Sequence, residues 1–237
     1  MKRIVLAIQF MTRLPVPWRG AITADDFAAS MRWFPVAGLP VGAAVAAAAW
    51  LGACRDPLLG ALAGTIAWAA ITGALHLDGL ADIADAAGAA HGDESRLLRA
   101  LADPHVGSFG VTCLVLQLAA KLVLLDRLIA AGAWASILLV PLAARIGILA
   151  WQYWLPPLGN GLALRFAGAV RPHHLWLWAM VLVCTGFAAP SIWFAPVPIL
   201  LWGWWLKRRI GGISGDGHGA GIELTESVLL SVAFCLT

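Results

Sequence analysis

Asp78, Asp82 and Asp85 stand at i, i+4 and i+7 in the stretch His76-Leu77-Asp78-Gly79-Leu80-Ala81-Asp82-Ile83-Ala84-Asp85. At about 100° per helical residue, they fall within roughly 60° of one another on one helix face. Like charges that close repel unless a cation lies between them. A hard divalent ion such as Mg²⁺ takes oxygen ligands of this kind and keeps positions open for substrate phosphates. The run before them, residues 57–75, carries no charged side chain. The pattern predicts metal-dependent phosphate chemistry where an apolar segment meets water, with the central Asp82 as the candidate base for an attacking hydroxyl.

Other candidates lie in two acid-rich stretches. Residues 76–108 hold six of the thirteen acids and residues 211–226 hold Asp216, Glu223 and Glu226. In Gly211-Gly212-Ile213-Ser214-Gly215-Asp216-Gly217, glycines leave backbone N–H groups open to an anion, and Gly215-Asp216-Gly217 signals a tight turn. Asp216 is read as a further ligand or as a turn former, and Glu223 and Glu226 as carboxylates at a helix start. In Asp103-Pro104-His105-Val106-Gly107-Ser108-Phe109-Gly110, free N–H groups at a helix start could meet a phosphate. Arg96 and Arg99, one turn apart, could hold a diphosphate. Arg145 and Lys121 lie within apolar runs, so they should face the protein interior or snorkel, and Arg145 calls for an internal carboxylate or phosphate. Asp93 and Glu94 read as solvated, and His91, His173 and His174 as interfacial residues.

The elements that must position these groups are membrane helices. The chain has 237 residues, 61% hydrophobic and 12% charged, with mean hydropathy +0.82. A soluble domain carries about a quarter charged residues, so the expected fold is an all-α polytopic bundle in a lipid bilayer. Candidate spans are 34–53, 57–75, 109–125, 133–155, 173–189, 192–206 and 222–237, the last barely long enough. The pair 173–189 and 192–206 is short and Pro-interrupted and could form one broken or re-entrant element, leaving six. The whole chain reads as one transmembrane domain. It has a cytoplasmic or interfacial segment 1–33, an Asp-rich cytoplasmic loop 76–108 and a Gly-rich cytoplasmic loop 207–221. Lys2-Arg3 and the apolar residues after them show no cleavage site, and residues 1–12 could form an interfacial helix.

With the N-terminus cytoplasmic, twelve of the sixteen basic residues face inward: Lys2, Arg3, Arg13, Arg19, Arg32, Arg96, Arg99, Arg165, Arg171, Lys207, Arg208 and Arg209. The net charge of +3 therefore expresses orientation and implies no nucleic acid. Cys54, Cys113, Cys184 and Cys235 show neither zinc spacing nor a disulfide pattern. Trp202, Trp204 and Trp205 before the Lys207-Arg208-Arg209 run read as an interfacial anchor. The oligomeric state is open, a homo-oligomer included.

Five stretches occur together in order: Phe10-Met11-Thr12-Arg13-Leu14-Pro15-Val16-Pro17, Phe34-Pro35-Val36-Ala37-Gly38-Leu39-Pro40-Val41-Gly42, residues 76–85, residues 103–110 and residues 211–226. From about residue 10 to the C-terminus the chain resembles the cobalamin synthases, adenosylcobinamide-GDP ribazoletransferases. The resemblance implies a Mg²⁺-dependent enzyme of the bacterial inner membrane. It would join adenosylcobinamide-GDP to α-ribazole, or to its 5′-phosphate, and release GMP. It implies metal ligation by Asp78, Asp82, Asp85 and Asp216. It also implies substrate contacts in the shared stretches, at Arg13, His76, Asp103, Gly107, Gly110, Ser214, Gly215 and Glu223, beside Arg96 and Arg145. Three departures stand out: Ala86 where glycine is usual, His105 where arginine is common, and Ser214 in place of threonine. The second puts a phosphate contact at 105 in doubt.

Two rivals are weaker. A CDP-alcohol phosphotransferase carries Asp-x-x-Asp-Gly-x-x-Ala-Arg, but Leu75 stands here where its first aspartate belongs. A transporter would put Lys121 and Arg145 in its pathway, yet the aspartate motif is not repeated, and its acids sit at the surface rather than mid-span.

Overall fold

The computed structural model describes residues 1–90, 94–159 and 161–237. The expectations for His91 and Asp93 lie outside these, as do the side chains of Ala90, Glu94 and Ser95. Among the described residues the protein is built from helices alone, with one isolated bridge between Pro157 and Ile213. They are α1 (Lys2–Met11), α2 (Ala24–Ser30), a 3₁₀ segment (Met31–Ala37), α3 (Gly38–Ala53), α4 (Pro57–Thr72), α5 (Leu75–Ala90) and α6 (Glu94–Leu101). There follow α7 (Ser108–Ala130), α8 (Trp134–Trp154), α9 (Leu162–Arg165), α10 (Pro172–Gly186), a 3₁₀ segment (Pro190–Phe194), α11 (Pro196–Arg209) and α12 (Gly215–Cys235).

Local chemistry sets the boundaries of these helices. Asp56 caps α4 by accepting from the Leu58 N–H at 2.8 Å, with Pro57 in the first turn. Gly73, at φ +60°, ends it in the left-handed conformation. Ala74 follows at φ +57°, and the chain turns through 86° into α5. Thr23 and Asp26 form a capping box at the start of α2, and Asp26 also pairs with Lys2, tying α1 to α2. The buried helix α8 forms the centre of the bundle, with residues from Val140 through Leu149 all buried. The α3–α4 pair packs on one side of it and α12 on another.

The all-α membrane character is as expected. Among the described residues, three helical stretches are long and apolar enough to cross a bilayer: Ala24–Ala53, Ser108–Ala130 and Trp134–Trp154. The bent α4–α5 pair makes a fourth if it is counted as one span. This is fewer than the six or seven expected. At 1.5 Å per residue, α4, α10 and α11 rise only about 21–24 Å, short of roughly 30 Å of hydrocarbon. Two expected loops are also largely helical. Residues 76–101 fall mostly in α5 and α6, and the Gly-rich segment is already helix from Gly215. Ser214 explains the second case, because its hydroxyl accepts from the Gly217 N–H at 3.0 Å.

Candidate active site

The site begins with a close contact between two helices. A Cβ at Gly79 would stand 2.8 Å from the Cα of Asp216, and one at Gly219 would stand 3.2 Å from the Cα of His76. Hydrogen therefore replaces a side chain at both crossing points, and α5 lies against the first turns of α12 backbone to backbone. This contact brings Asp78 and Asp82 beside Asp216, across more than 130 residues of intervening chain. Asp82 is acted on by the charges of Asp216, Asp78 and Asp85, and Asp216 by that of Asp78. Asp78 is exposed, while Asp82 and Asp216 are half-buried. Among the described residues none of the three is in an ion pair.

Asp85 has a different role from its two neighbours. One of its oxygens accepts from the Gly107 N–H at 2.7 Å and the other from the Gly110 N–H at 2.9 Å. The carboxylate thus caps α7, whose own N-cap position, Gly107, has no side chain to do so. Two expectations meet in this contact. The N–H groups anticipated as a phosphate cradle are held by a carboxylate anticipated as a metal ligand. Nearby, Asp103 accepts from the His105 backbone at 3.0 Å and from its ring at 2.8 Å. That holds the exposed Asp103 carboxyl below the usual range.

Asp78 and Asp216 open onto a cavity of about 100 Å³ whose polar wall includes His76 and His218 and whose apolar wall includes Phe10, Phe34 and Phe166. The space is several times what one water molecule needs and admits a phosphate group. His76 is 2% exposed. Its Nδ1 lies 3.5 Å from Arg145 Nη2, at the outer limit of a hydrogen bond, and its buried Nε2 has no partner. A guanidinium only donates, so Nδ1 is the acceptor and the neutral ring carries its proton on Nε2. His218 and Gln152 were not among the expected site residues. Gln152 donates to the Ala163 carbonyl at 2.9 Å, which orients its oxygen to accept from His218 Nε2 at 3.1 Å. The only signal for His218 was its place among the glycines, and a Gly-rich loop reading passes over it.

Beneath the cavity lies a closed charge network. Lys121 Nζ is 2.8 Å from Glu223 and 2.7 Å from Glu226. Arg145 Nη1 donates to Glu226 at 3.0 Å and to the Pro141 carbonyl at 2.7 Å. Gln117 donates to Glu223 at 2.8 Å. The interior location expected for Lys121 and Arg145 is what the structure shows. Arg145 and Glu223, expected to touch substrate, are turned toward partners inside the protein. Ser214 and Gly215 sit at the start of α12 beside Asp216. Arg13 is exposed at the α4–α5 bend, its backbone N–H donating to the Ile71 carbonyl at 2.7 Å. Arg96 is exposed on α6.

The donor set suits a hard cation, being carboxylate oxygens only. Among the described residues no three His, Cys, Asp or Glu side chains close round a single ion as arranged. That is compatible with Mg²⁺, which keeps several waters and takes one or two protein carboxylates together with substrate phosphates.

Comparison with known proteins adds independent findings. The family model for cobalamin-5-phosphate synthase matches residues 3–234. An adenosylcobinamide-GDP ribazoletransferase of Novosphingobium aromaticivorans is 58% identical over 237 aligned residues, covering 98% of this chain and 96% of the relative. Its counterpart in Thiobacillus denitrificans is 49% identical, covering 98% and 95%. That of Laribacter hongkongensis is also 49% identical, covering 100% and 98%. No solved structure matches the chain.

Proposed function

The chain belongs to the cobalamin-5-phosphate synthase family, and we propose that it works through Asp78, Asp82 and Asp216 at the α5–α12 contact. The reaction is the nucleotide-loop assembly step of cobalamin biosynthesis, in which adenosylcobinamide-GDP is joined to α-ribazole or its 5′-phosphate. The CDP-alcohol phosphotransferase and transporter readings give way to the family match.

A ribose hydroxyl of the ribazole, one that is free in both α-ribazole and its 5′-phosphate, attacks the phosphorus attached to cobinamide. A new P–O bond forms as the bond to GMP breaks. Such transfers rest on positioning and charge neutralisation rather than on a covalent enzyme intermediate. Asp78 and Asp216 would hold Mg²⁺, and bound there it would neutralise diphosphate oxygens and the charge growing on the leaving group. Asp82, central among the acids, orients the attacking ribose hydroxyl and takes its proton. The buried His76 ring, its tautomer set by Arg145, forms part of the cavity wall behind the phosphate. Asp85 stays on α7 and fixes that helix against α5. The phenylalanine wall excludes water from the leaving group, while the corrinoid remains at the cavity mouth. The positive charge bias supports an N-terminus and a site on the cytoplasmic side of the bacterial inner membrane, in a multi-pass topology.

The observation that carries this reading is the meeting of carboxylates from two helices distant in sequence, without a balancing cation from the chain, with Asp78 and Asp216 lining a cavity. It is tested by measuring GMP release and corrinoid product from adenosylcobinamide-GDP and α-ribazole. The assay is run with and without Mg²⁺, for the native protein and for Asp82→Asn. Turnover that requires Mg²⁺ and collapses in the folded variant is the expected result. Full turnover in Asp82→Asn would move the base elsewhere, and full turnover without divalent ion would remove the metal.

A further inference from the structure

A second polar cleft, of about 370 Å³, lies between α2 with its 3₁₀ continuation and the segment joining α9 to α10. Its polar lining is Arg32, Arg171, His173 and His174, with Asp25 as the one acid and short alanine and glycine segments between. It is separated from the aspartate cavity by Met31 and Phe166, which line that cavity and adjoin cleft residues in sequence. Neither Arg32 nor Arg171 is in an ion pair among the described residues. Arg32 is instead acted on by the like charges of Arg3 and Arg171, and its Nε is buried without a hydrogen-bond partner. His174 is acted on in turn by Arg32, Arg171 and His173. The Arg171 backbone N–H donates to His174 Nδ1 at 3.1 Å, so the neutral ring keeps a donor on Nε2. The N-terminal end of α10, 15 residues long, opens here and adds its positive dipole end.

Nearby Asp26, which would offset the excess, is taken up by Lys2 and also lies 3.7 Å from Arg3. Cations that act on one another across a cleft, one with an orphaned buried donor, are held there more favourably when an anion joins them. Guanidinium forks match phosphate oxygens in geometry as well as charge. We propose that this cleft is a phosphate-binding site distinct from the active site. Its ligand is the phosphate of an anionic phospholipid headgroup or of a soluble phosphate-bearing molecule. On α10, one turn beyond the cleft, Trp176 is 73% exposed and Leu177 50% exposed. An apolar surface thus continues from the cleft, as a lipid whose headgroup sits in it would require.

The test uses the full chain in phosphatidylcholine nanodiscs. Thermal unfolding is followed with phosphatidylglycerol added to the disc, and separately with inorganic phosphate added to the buffer. A rise in midpoint of about 2–4 °C in at least one arm is expected for the native protein. A rise with phosphatidylglycerol alone identifies a headgroup, and a rise with both identifies the phosphate itself. The rise should disappear in Arg32→Gln/Arg171→Gln and persist in Arg208→Gln/Arg209→Gln, which removes equal charge elsewhere. If the first pair fails to fold, Arg171→Gln alone, at an exposed position, decides by a rise cut to about half or less. No rise in either arm for the native protein overturns the proposal. So does an undiminished rise in the Arg32 and Arg171 variants, or equal loss in the Arg208 and Arg209 control.

Discussion

One helix, α12, carries two groups of carboxylates with opposite surroundings. At its first turn, Asp216 joins Asp78 and Asp82, half-buried or exposed, with no ion pair among them. Two turns deeper, Glu223 and Glu226 are 2% and 0% exposed and are met by Lys121 and Arg145. The deeper group contains two acids and two bases and is formally neutral within the protein. The upper group has only acids, so its balance must come from outside the chain. Residue type alone therefore does not mark a site. What marks it is charge that the fold gathers and then leaves uncompensated beside a space a ligand can enter.

The sharpest way to break this comparison is to unbalance the lower group. Glu226→Leu leaves Lys121 with Glu223 alone and Arg145 without a carboxylate partner in the interior. It should cost about 3–5 kcal/mol, seen as a large drop in the unfolding midpoint in detergent. An unchanged midpoint would mean the network is not structural. The upper group should respond in the opposite sense. Asp82→Asn is expected to lower the turnover rate at least ~100-fold, equivalent to about 2.7 kcal/mol of barrier. Its stability should stay within about 0.5 kcal/mol of native, because the change relieves repulsion rather than stranding a charge.

Gly79→Ala tests the contact that assembles the upper group. Its methyl meets the Asp216 backbone, so the helices must separate, at about 1–3 kcal/mol. Activity should fall although no carboxylate is altered. Retained activity at native stability would show that the helices have slack. The smallest effect is expected for Asp85→Ala, which removes only the cap on α7. A loss of about 1 kcal/mol with weakened but surviving turnover would separate it from Asp78 and Asp216. Complete loss of turnover at native stability would instead return Asp85 to the ligand set.

These contrasts show what could be read in advance. The helical face shared by Asp78 and Asp82 followed from their spacing, and the interior location of Arg145 and Lys121 from the expense of charge in lipid. The fate of Asp85 did not follow, because the helix it caps begins 22 residues later and spacing says nothing of that partner. The Gly215–Gly219 stretch read as a loop because each glycine disfavours helix by about 1 kcal/mol. What offsets that cost is packing against α5, which is tertiary and invisible locally. Glu226 looked like an ordinary helix-start carboxylate for the same reason, since its partners lie 81 and 105 residues away. The family resemblance named the reaction, but no motif distinguished acids left open from acids already paired.

The position of α12 in the chain also bears on biosynthesis. Proteins emerge from the ribosome N-terminus first, and their early segments begin to fold while later ones are still being made. Helices α5, α7 and α8 are therefore in place before α12 exists. Until it docks, Lys121 and Arg145 lack their carboxylate partners, and Asp78 and Asp82 lack Asp216. Docking of α12 completes the buried ion pairs and the proposed catalytic acids in the same event. A nascent chain stalled before α12 is therefore expected to be both less stable and inactive. Assembly and activity share one checkpoint.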